Sequence, residues 1–203
     1  NELNKPETKI ITVEDPVEYR LPRINQVQVN HKIDLTFSNV LRTTLRQDPD
    51  ILMVGEMRDH ETVEIGLRGA LTGHLVLSTL HTNDAVSSAI RLLDMGAPGY
   101  LVASSLKAIV AQRLVRKLCD NCSHTKAPEP EQKLWLSTLN MDIQSIAFKK
   151  GEGCQRCNYT GYKGRIGVFE LLQLNESMMI ALKNNDTAEF TLAASNSPGY
   201  RSL

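Results

Sequence analysis

Apolar residues fall along the chain in two rhythms. Lys9–Val13 (KIITV) and Ile51–Val54 (ILMV) are nearly unbroken apolar or β-branched runs, and Leu75–Leu77 forms a third inside His74–Thr79. Short runs of this kind, bounded by turn-formers and acids, predict strands packed into a parallel sheet. Gln26–Val29 alternates polar and apolar, which predicts a short half-exposed strand. Between these runs the spacing turns helical. Phe37, Val40, Leu41 and Leu45 form one stripe behind Asp34 or Thr36, either of which can cap a helix. A helix is expected over about His60–Leu71, closed by Gly73, and another after an Asn83 cap, carrying Val86, Ile90 and Leu93 as far as Gly96. Leu101–Val115, rich in alanine, leucine and valine, predicts one further helix, whose basic end at Gln112–Lys117 suits the helix dipole. The glycines of Thr160–Gly167 predict a tight bend, Val168–Leu172 a last strand, and Glu176–Lys183 and Thr187–Ala194 two short helices. Strands alternating with helices give an α/β fold.

The 203 residues suffice for one sizeable domain, or one domain with a small module. Hydrophobic content of 41% and charged content of 23% are those of a soluble globular protein. The formal net charge of zero gives no sign of a polyanion partner, so no nucleic acid is expected. No apolar run approaches the roughly 20 residues of a membrane span. Direct membrane insertion is therefore not expected, and contact with a membrane would run through a partner. The chain opens at Asn1 without an initiator methionine, and Ser197–Leu203 breaks off just after a turn, so a fragment cut at both ends is expected.

The strand ends carry the candidate chemistry. Ile51–Val54 runs into Gly55, Glu56, Met57, Arg58 and Asp59. A carboxylate at the carboxyl end of a buried strand stands where open α/β sheets bind ligands. A Walker-B element and a solvated acidic turn both fit that observation alone. Lys9–Val13 leads into Glu14, Asp15, Pro16, Val17 and Glu18. Three carboxylates at one tip repel each other unless something positive sits among them, and a nucleotide-bound Mg²⁺ or an activated water would serve. The alternative is an acidic loop. The third run ends in Ser78, Thr79 and His81, donors of the kind a γ-phosphate sensor needs. A lone histidine is more often a satisfied surface or core residue. Two of them, His74 and His81, bracketing a strand beside two acidic tips, favour function. Arg42 reads as part of a solvated basic stripe, and Arg46 as a residue that can reach a phosphate or a neighbouring subunit.

The four cysteines form two Cys-x-x-Cys pairs, Cys119/Cys122 and Cys154/Cys157, with 31 residues between them. This is the spacing of a Cys₄ zinc site, and four thiolates leave no open coordination position, so the site is expected to be structural. Free thiols or disulfides are the alternatives, and His124 is an outside candidate ligand. The insert Ser123–Gly153, with Pro128, Pro130 and the only tryptophan, Trp135, is expected to be a small helical flap with its own minimal core, dependent on the metal.

Taken together, Ile11–Tyr19, Leu45–Asp59 and Thr72–Ala85 are similar to the Asp box, Walker B and His box of the assembly ATPases of type II secretion and type IV pili. The resemblance covers nearly the whole chain. The tetracysteine pattern resembles the secretion and pilus-extension members, since the family's retraction motors lack it. Pro22, Ile24–Val29 and Leu92–Tyr100 most resemble the branch serving the mannose-sensitive haemagglutinin pilus. The resemblance implies a RecA-like P-loop NTPase core over 1–118, a metal-binding module over 119–164, and a final strand with C-terminal helices over 165–203. It implies that Glu14, Asp15 and Glu18 order Mg²⁺ and the attacking water, that Glu56 is the Walker-B carboxylate, and that His74 and His81 couple nucleotide state to the sheet. Arg46, Arg58 and Thr79 become candidate nucleotide contacts. The implied cofactors are ATP, Mg²⁺ and structural Zn²⁺. The implied setting is a homo-hexamer with nucleotide between subunits, cytoplasmic, acting on an inner-membrane platform protein.

Three departures qualify the resemblance. The P-loop pattern Gly-x-x-x-x-Gly-Lys-[Ser/Thr] is missing and would precede Asn1, so this stretch alone is expected to bind ATP feebly and not hydrolyse it. Gly55 stands where a typical Walker B has aspartate, a feature shared across the family. Arg23 stands where glycine is expected. Two other readings compete: a non-catalytic zinc-binding interaction module, and a RecA-like DNA motor. Zero net charge and the lack of aromatic residues interleaved with basic ones count against the motor.

Overall fold

The computed structural model describes residues 2–138 and 146–203. They divide into two compact units, Asn1–Ala111 with Phe169–Leu203, and Gln112–Val168.

The first unit is built on a parallel sheet of β1 (Ile10–Glu14), β2 (Ile24–Gln28), β3 (Ile51–Val54) and β4 (Leu75–Ser78), in the order β2-β1-β3-β4. The strands start level: Ile10 stands opposite Ile24 and Ile51, and Ile51 opposite Leu75. Their carboxyl ends therefore finish side by side. The central strands β1 and β3 are buried as their apolar runs predict, with Val13 and Val54 fully covered. β4 is different. It is an outer strand of this sheet, with Leu75 46% and Leu77 41% exposed. Strand order is a long-range property, and an apolar run by itself does not report it.

Each helix of the α/β alternation begins at a side-chain cap. Thr36 accepts the Asn39 N–H at the start of α1 (Phe37–Thr44), and Asp59 accepts that of Thr62 at α2 (His60–Leu71). At α3 (Ala85–Asp94) the cap is Asp84, one residue later than the expected Asn83, and Ser87 completes a capping box with it. Gly73 follows α2 at φ +106°, a left-handed position that ends the helix. The tail folds back onto this unit. α6 (Glu176–Lys183) and α7 (Thr187–Ser195) bury Met178, Leu182 and Phe190 in the same core as Val13 and Leu101. A Cβ at Gly99, which opens α4 (Gly99–Ser105), would lie 2.2 Å from the Leu182 carbonyl, so glycine is what permits that close approach.

The single helix expected over Leu101–Val115 is corrected. α4 stops at Ser105, Leu106 is extended, and β5 (Ala108–Leu118) follows, paired with β8 (Tyr162–Gln173). Within β5, Ile109 and Ala111 are partly covered while Ala108 and Val110 are exposed, which is the two-residue period of a strand. Pairing with β8 overrides the helix preference of the alanines and leucines. The expected bend is likewise confined. β8 already begins at Tyr162, and Gly164, at φ +80°, lies inside it.

The second unit, Gln112–Val168, is wider than the 119–164 stretch around the cysteines. It contains β6 (Ser123–Thr125) and β7 (Lys149–Gly151), an antiparallel pair, and α5 (Pro130–Ser137). The expected flap helix is α5, but Trp135 does not form its core. The indole is 62% exposed and Leu136 is the residue buried. The rest of that insert, 139–145, lies outside the described residues. Among the described residues no helix is long and apolar enough to cross a membrane.

Candidate functional site

The level carboxyl ends of β1, β3 and β4 open onto one cavity of about 510 Å³. Its polar wall comes from Glu14, Asp15, Glu18, Glu56, Arg58 and His81, with Thr79 beside them. Phe37 and Met53 supply apolar wall. Residues up to 67 positions apart in sequence, Glu14 and His81, thus share one space because parallel strands with short αβ turns end on one side.

The strand tips are tied to each other directly. Gly55 N–H donates to the Val13 carbonyl at 2.7 Å, Thr79 Oγ1 to the Gly55 carbonyl at 2.6 Å, and Met57 N–H to the Thr79 carbonyl at 3.1 Å. A Cβ at position 55 would sit 3.1 Å from the Val13 oxygen and 3.4 Å from the Glu14 Cα. That crowding is a physical reason for glycine, rather than aspartate, at this point. The carboxylate is carried one residue further on. Glu56, with its side chain 12% exposed, accepts from Arg58 Nε at 2.5 Å and from His81 Nε2 at 3.0 Å, both at Oε2. Glu14 is buried at the end of β1 and accepts from the Thr12 hydroxyl and the Gln26 amide, both at Oε1. Asp15 Oδ2 lies 3.7 Å from His31 Nε2. Four carboxylates against one arginine leave the wall negative, with oxygen ligands of the type a hard divalent cation takes.

Two candidates stand elsewhere. His74 precedes β4, at the end opposite the cavity, where its Nδ1 lies 3.0 Å from the Gly69 carbonyl and 3.1 Å from Thr72 Oγ1, at the close of α2. Arg46 is exposed, just past α1 and ahead of the amino end of β3. Arg42 is exposed, as a solvated face predicts, and pairs there with Glu61. Ser38 and Arg42 hold the Glu61 carboxyl below its ordinary range.

Three residues with telling contacts carried no expectation from the sequence: two beside the cavity, and a third in the same unit that does not line it. Gln26 and His31 contact Glu14 and Asp15; the alternation of Gln26–Val29 marked a strand there but gave no hint of these contacts. The third is Glu170 in β8, fully buried, which accepts from Ala85 N–H at 3.0 Å, from Leu203 N–H at 3.1 Å and from the Tyr200 hydroxyl. A lone acid inside the apolar run Val168–Leu172 was its signal. Burial, then the Glu170 hydrogen bond, push the Tyr200 phenol above its ordinary range.

In the second unit Cys119, Cys122, Cys154 and Cys157 are free thiols whose sulfurs lie within 4.8 Å of one another. Sγ separations are 3.9 Å for Cys119–Cys154 and Cys122–Cys157 and 3.8 Å for Cys154–Cys157. A tetrahedron of about 2.3 Å zinc–sulfur bonds has edges of about 3.8 Å, so the four sulfurs fit one metal ion. Asn121 Nδ2 donates to Cys154 Sγ, and the Cys154 and Gly161 N–H groups to Cys157 Sγ. Burial raises the Cys157 thiol, but the Cys154 and Gly161 donors outweigh it and bring it down to about 6. Burial pushes Cys122 up to about 12. His124 lies outside the cluster, 3.7 Å from Glu152.

The sequence matches the family described as "Type II/IV secretion system protein" over residues 1–200. It is 47% identical over 184 residues to the type II secretion system protein E of Pectobacterium carotovorum subsp. carotovorum, covering 91% of this chain and 36% of that one. It is 44% identical over 198 residues to the type IV pilus assembly ATPase PilB of Thermus thermophilus, covering 98% of this chain and 22% of that one. The chain thus spans about a third or less of the length of these relatives. Among solved structures, the pilus retraction motor PilT with bound ADP superposes with a TM-score of 0.64 at 28% identity, covering 97% of this chain and 48% of that one. The Legionella pneumophila ATPase DotB, at 22% identity and a TM-score of 0.63 over 96% of this chain and 46% of that one, shares the fold.

Proposed function

Because the chain belongs to the type II/IV secretion system protein family, we propose that its acidic cavity is the ATP-hydrolysing site of a cytoplasmic motor that powers pilin assembly or protein export. The observation that carries this reading is the meeting of Glu14, Glu56 and His81 around one cavity at the carboxyl edge of a parallel sheet.

In this reading Glu14, Asp15 and Glu18 are the residues that would hold Mg²⁺, as hard oxygen donors suited to it. When bound, Mg²⁺ neutralises charge on the phosphoryl group being transferred. Glu56 orients the attacking water and takes its proton. Arg58 and Thr79 meet the phosphates, and the His81–Glu56 hydrogen bond links nucleotide state to the tip of β4. Phosphoryl transfer depends chiefly on positioning and charge stabilisation, which such a set supplies. Arg46 and His74, at the amino ends of β3 and β4, receive no role within this cavity. The phosphate cradle and its lysine have no counterpart in the sequence, so residues 1–203 alone bind nucleotide weakly and do not turn it over.

Cys119, Cys122, Cys154 and Cys157 would hold a structural Zn²⁺, for which four thiolates form a closed set. The working assembly is a homo-hexamer at the inner membrane, engaged through a platform protein. The cysteines favour the secretion and pilus-extension side of the family, and Ile24–Val29 with Leu92–Tyr100 favour the mannose-sensitive haemagglutinin branch. Glu56→Ala in the full-length chain tests the central reading: Mg²⁺-dependent ATP turnover should be abolished while nucleotide still binds. Unchanged turnover would remove Glu56 from the chemistry.

A further inference from the structure

Strand β2 places two glutamines beside the acids of β1. In the parallel register Thr12 stands opposite Gln26 and Glu14 opposite Gln28, and alternate residues share a face, so all four lie on one side of the sheet. Gln26 spends its whole amide there. Its Nε2 donates to Glu14 Oε1 at 2.9 Å and to the Tyr19 carbonyl at 2.9 Å, and its Oε1 accepts the Leu21 N–H at 2.7 Å. Gln28 Oε1 accepts the Val17 N–H at 3.2 Å. Three main-chain groups of the loop that carries Asp15 and Glu18 are thus satisfied by side chains of the neighbouring strand. Water could satisfy these largely exposed groups, but only bonds to a fixed strand hold the loop in one conformation.

We propose that Gln26 is a positioning residue of the cavity, an inference that rests on the hydrolytic reading above. Together with Thr12 it engages one oxygen of Glu14 and leaves Oε2 without a donor among the described residues, available to a cation or to cation-bound water. Through Tyr19 and Leu21 the same amide fixes the loop that brings Asp15 and Glu18 to the cavity, so three carboxylates from one strand tip are set as a unit. Gln28 is the secondary anchor at Val17. The role needs a group that donates and accepts at once. An ionised glutamate keeps the acceptor for Leu21, loses the donor, and puts a second negative charge against Glu14.

The test uses the full-length enzyme, with Mg²⁺-ATP turnover, KM for ATP and the half-saturating Mg²⁺ concentration as readouts. Gln26→Met, nearly isosteric and unable to hydrogen-bond usefully, should lower kcat by about 10- to 100-fold, the scale of a misplaced catalytic group, with KM for ATP shifted less than about threefold. The Mg²⁺ requirement should rise by about tenfold. Gln26→Glu should do at least as much damage, and it carries the test if Gln26→Met does not fold. Gln28→Ala should cost less than Gln26→Met. A Gln26→Met enzyme with kcat within about twofold of wild type and an unchanged Mg²⁺ requirement would show that the side chain only fills space, and would overturn the proposal. Glu14→Ala, measured alongside, separates the two levels. If it is crippled while Gln26→Met is not, the positioning role alone falls. If both are silent, the hydrolytic reading falls and takes the positioning role with it.

Discussion

The edge of the parallel sheet and the cysteine cluster both gather polar side chains from distant parts of the sequence, but they leave those groups in opposite states. At the sheet edge, bonding capacity is held back: Glu14 takes its donors on one oxygen, and Glu56 takes both of its donors on one oxygen. In the cluster, four sulfurs face inward within 4.8 Å, backed by N–H donors, and a single metal ion would use all of them. Spare lone pairs beside a cavity suit a site that must exchange ligands, and a closed ligand set suits one that must not. Glu170 sharpens the contrast. It lies in the same unit as the cavity acids and is more deeply buried, yet all of its donors are main-chain or hydroxyl groups of the protein, so it behaves like the cysteines. Burial alone does not separate Glu170 from the cavity acids; the number of oxygens already committed to protein donors does.

The largest effect should come from opening the closed set. Chelation, or Cys119→Ser, should remove zinc binding worth on the order of 10 kcal/mol and render residues 112–168 protease-sensitive. Wild-type protein without metal and equally resistant would break the comparison on that side. Next, Glu170→Ala leaves three donors without their acceptor and should destabilise by about 3 kcal/mol, a fall in Tm of about 6–12 °C by calorimetry, with Glu170→Gln milder. A change under about 2 °C would deny it the closed, structural role. The histidines provide the smallest and most pointed contrast. His81→Ala should cut turnover about tenfold, near 1.4 kcal/mol, at unchanged stability. His74→Ala should leave turnover within about twofold and lower Tm by about 2–4 °C, through loss of its contacts at the end of α2. The reverse pattern would place the chemistry at the wrong end of β4.

How far the sequence foretold this depends on whether the deciding interactions were local. β1 and β3 were readable because burial on both faces demands an unbroken apolar run, and α2 and α6 because caps and stripes are set within a few residues. The cysteine cluster was readable because two Cys-x-x-Cys pairs are the spacing that brings four sulfurs to one place, and the four sulfurs lie within 4.8 Å of one another. β5 was misread because its alanines and leucines suit a helix, and only pairing with β8, about 50 residues away, makes it a strand. The exposure of β4 follows from strand order, which no window along the chain reveals. At the cavity, Glu14, Glu56 and His81 were readable as polar residues just past apolar strands. Gln26 and Glu170 were not, since their importance lies wholly in what they touch across the sheet or from another segment.

The most direct trial of the account is a crystal structure of the full-length protein with Mn²⁺ and a non-hydrolysable ATP analogue, locating the metal by its anomalous signal. The account predicts a peak within about 5 Å of both the Glu14 and Glu56 carboxylates, the reach of a metal contact relayed by one water. A nucleotide-bound metal about 10 Å or more from both carboxylates would contradict it, whatever the turnover of the mutants.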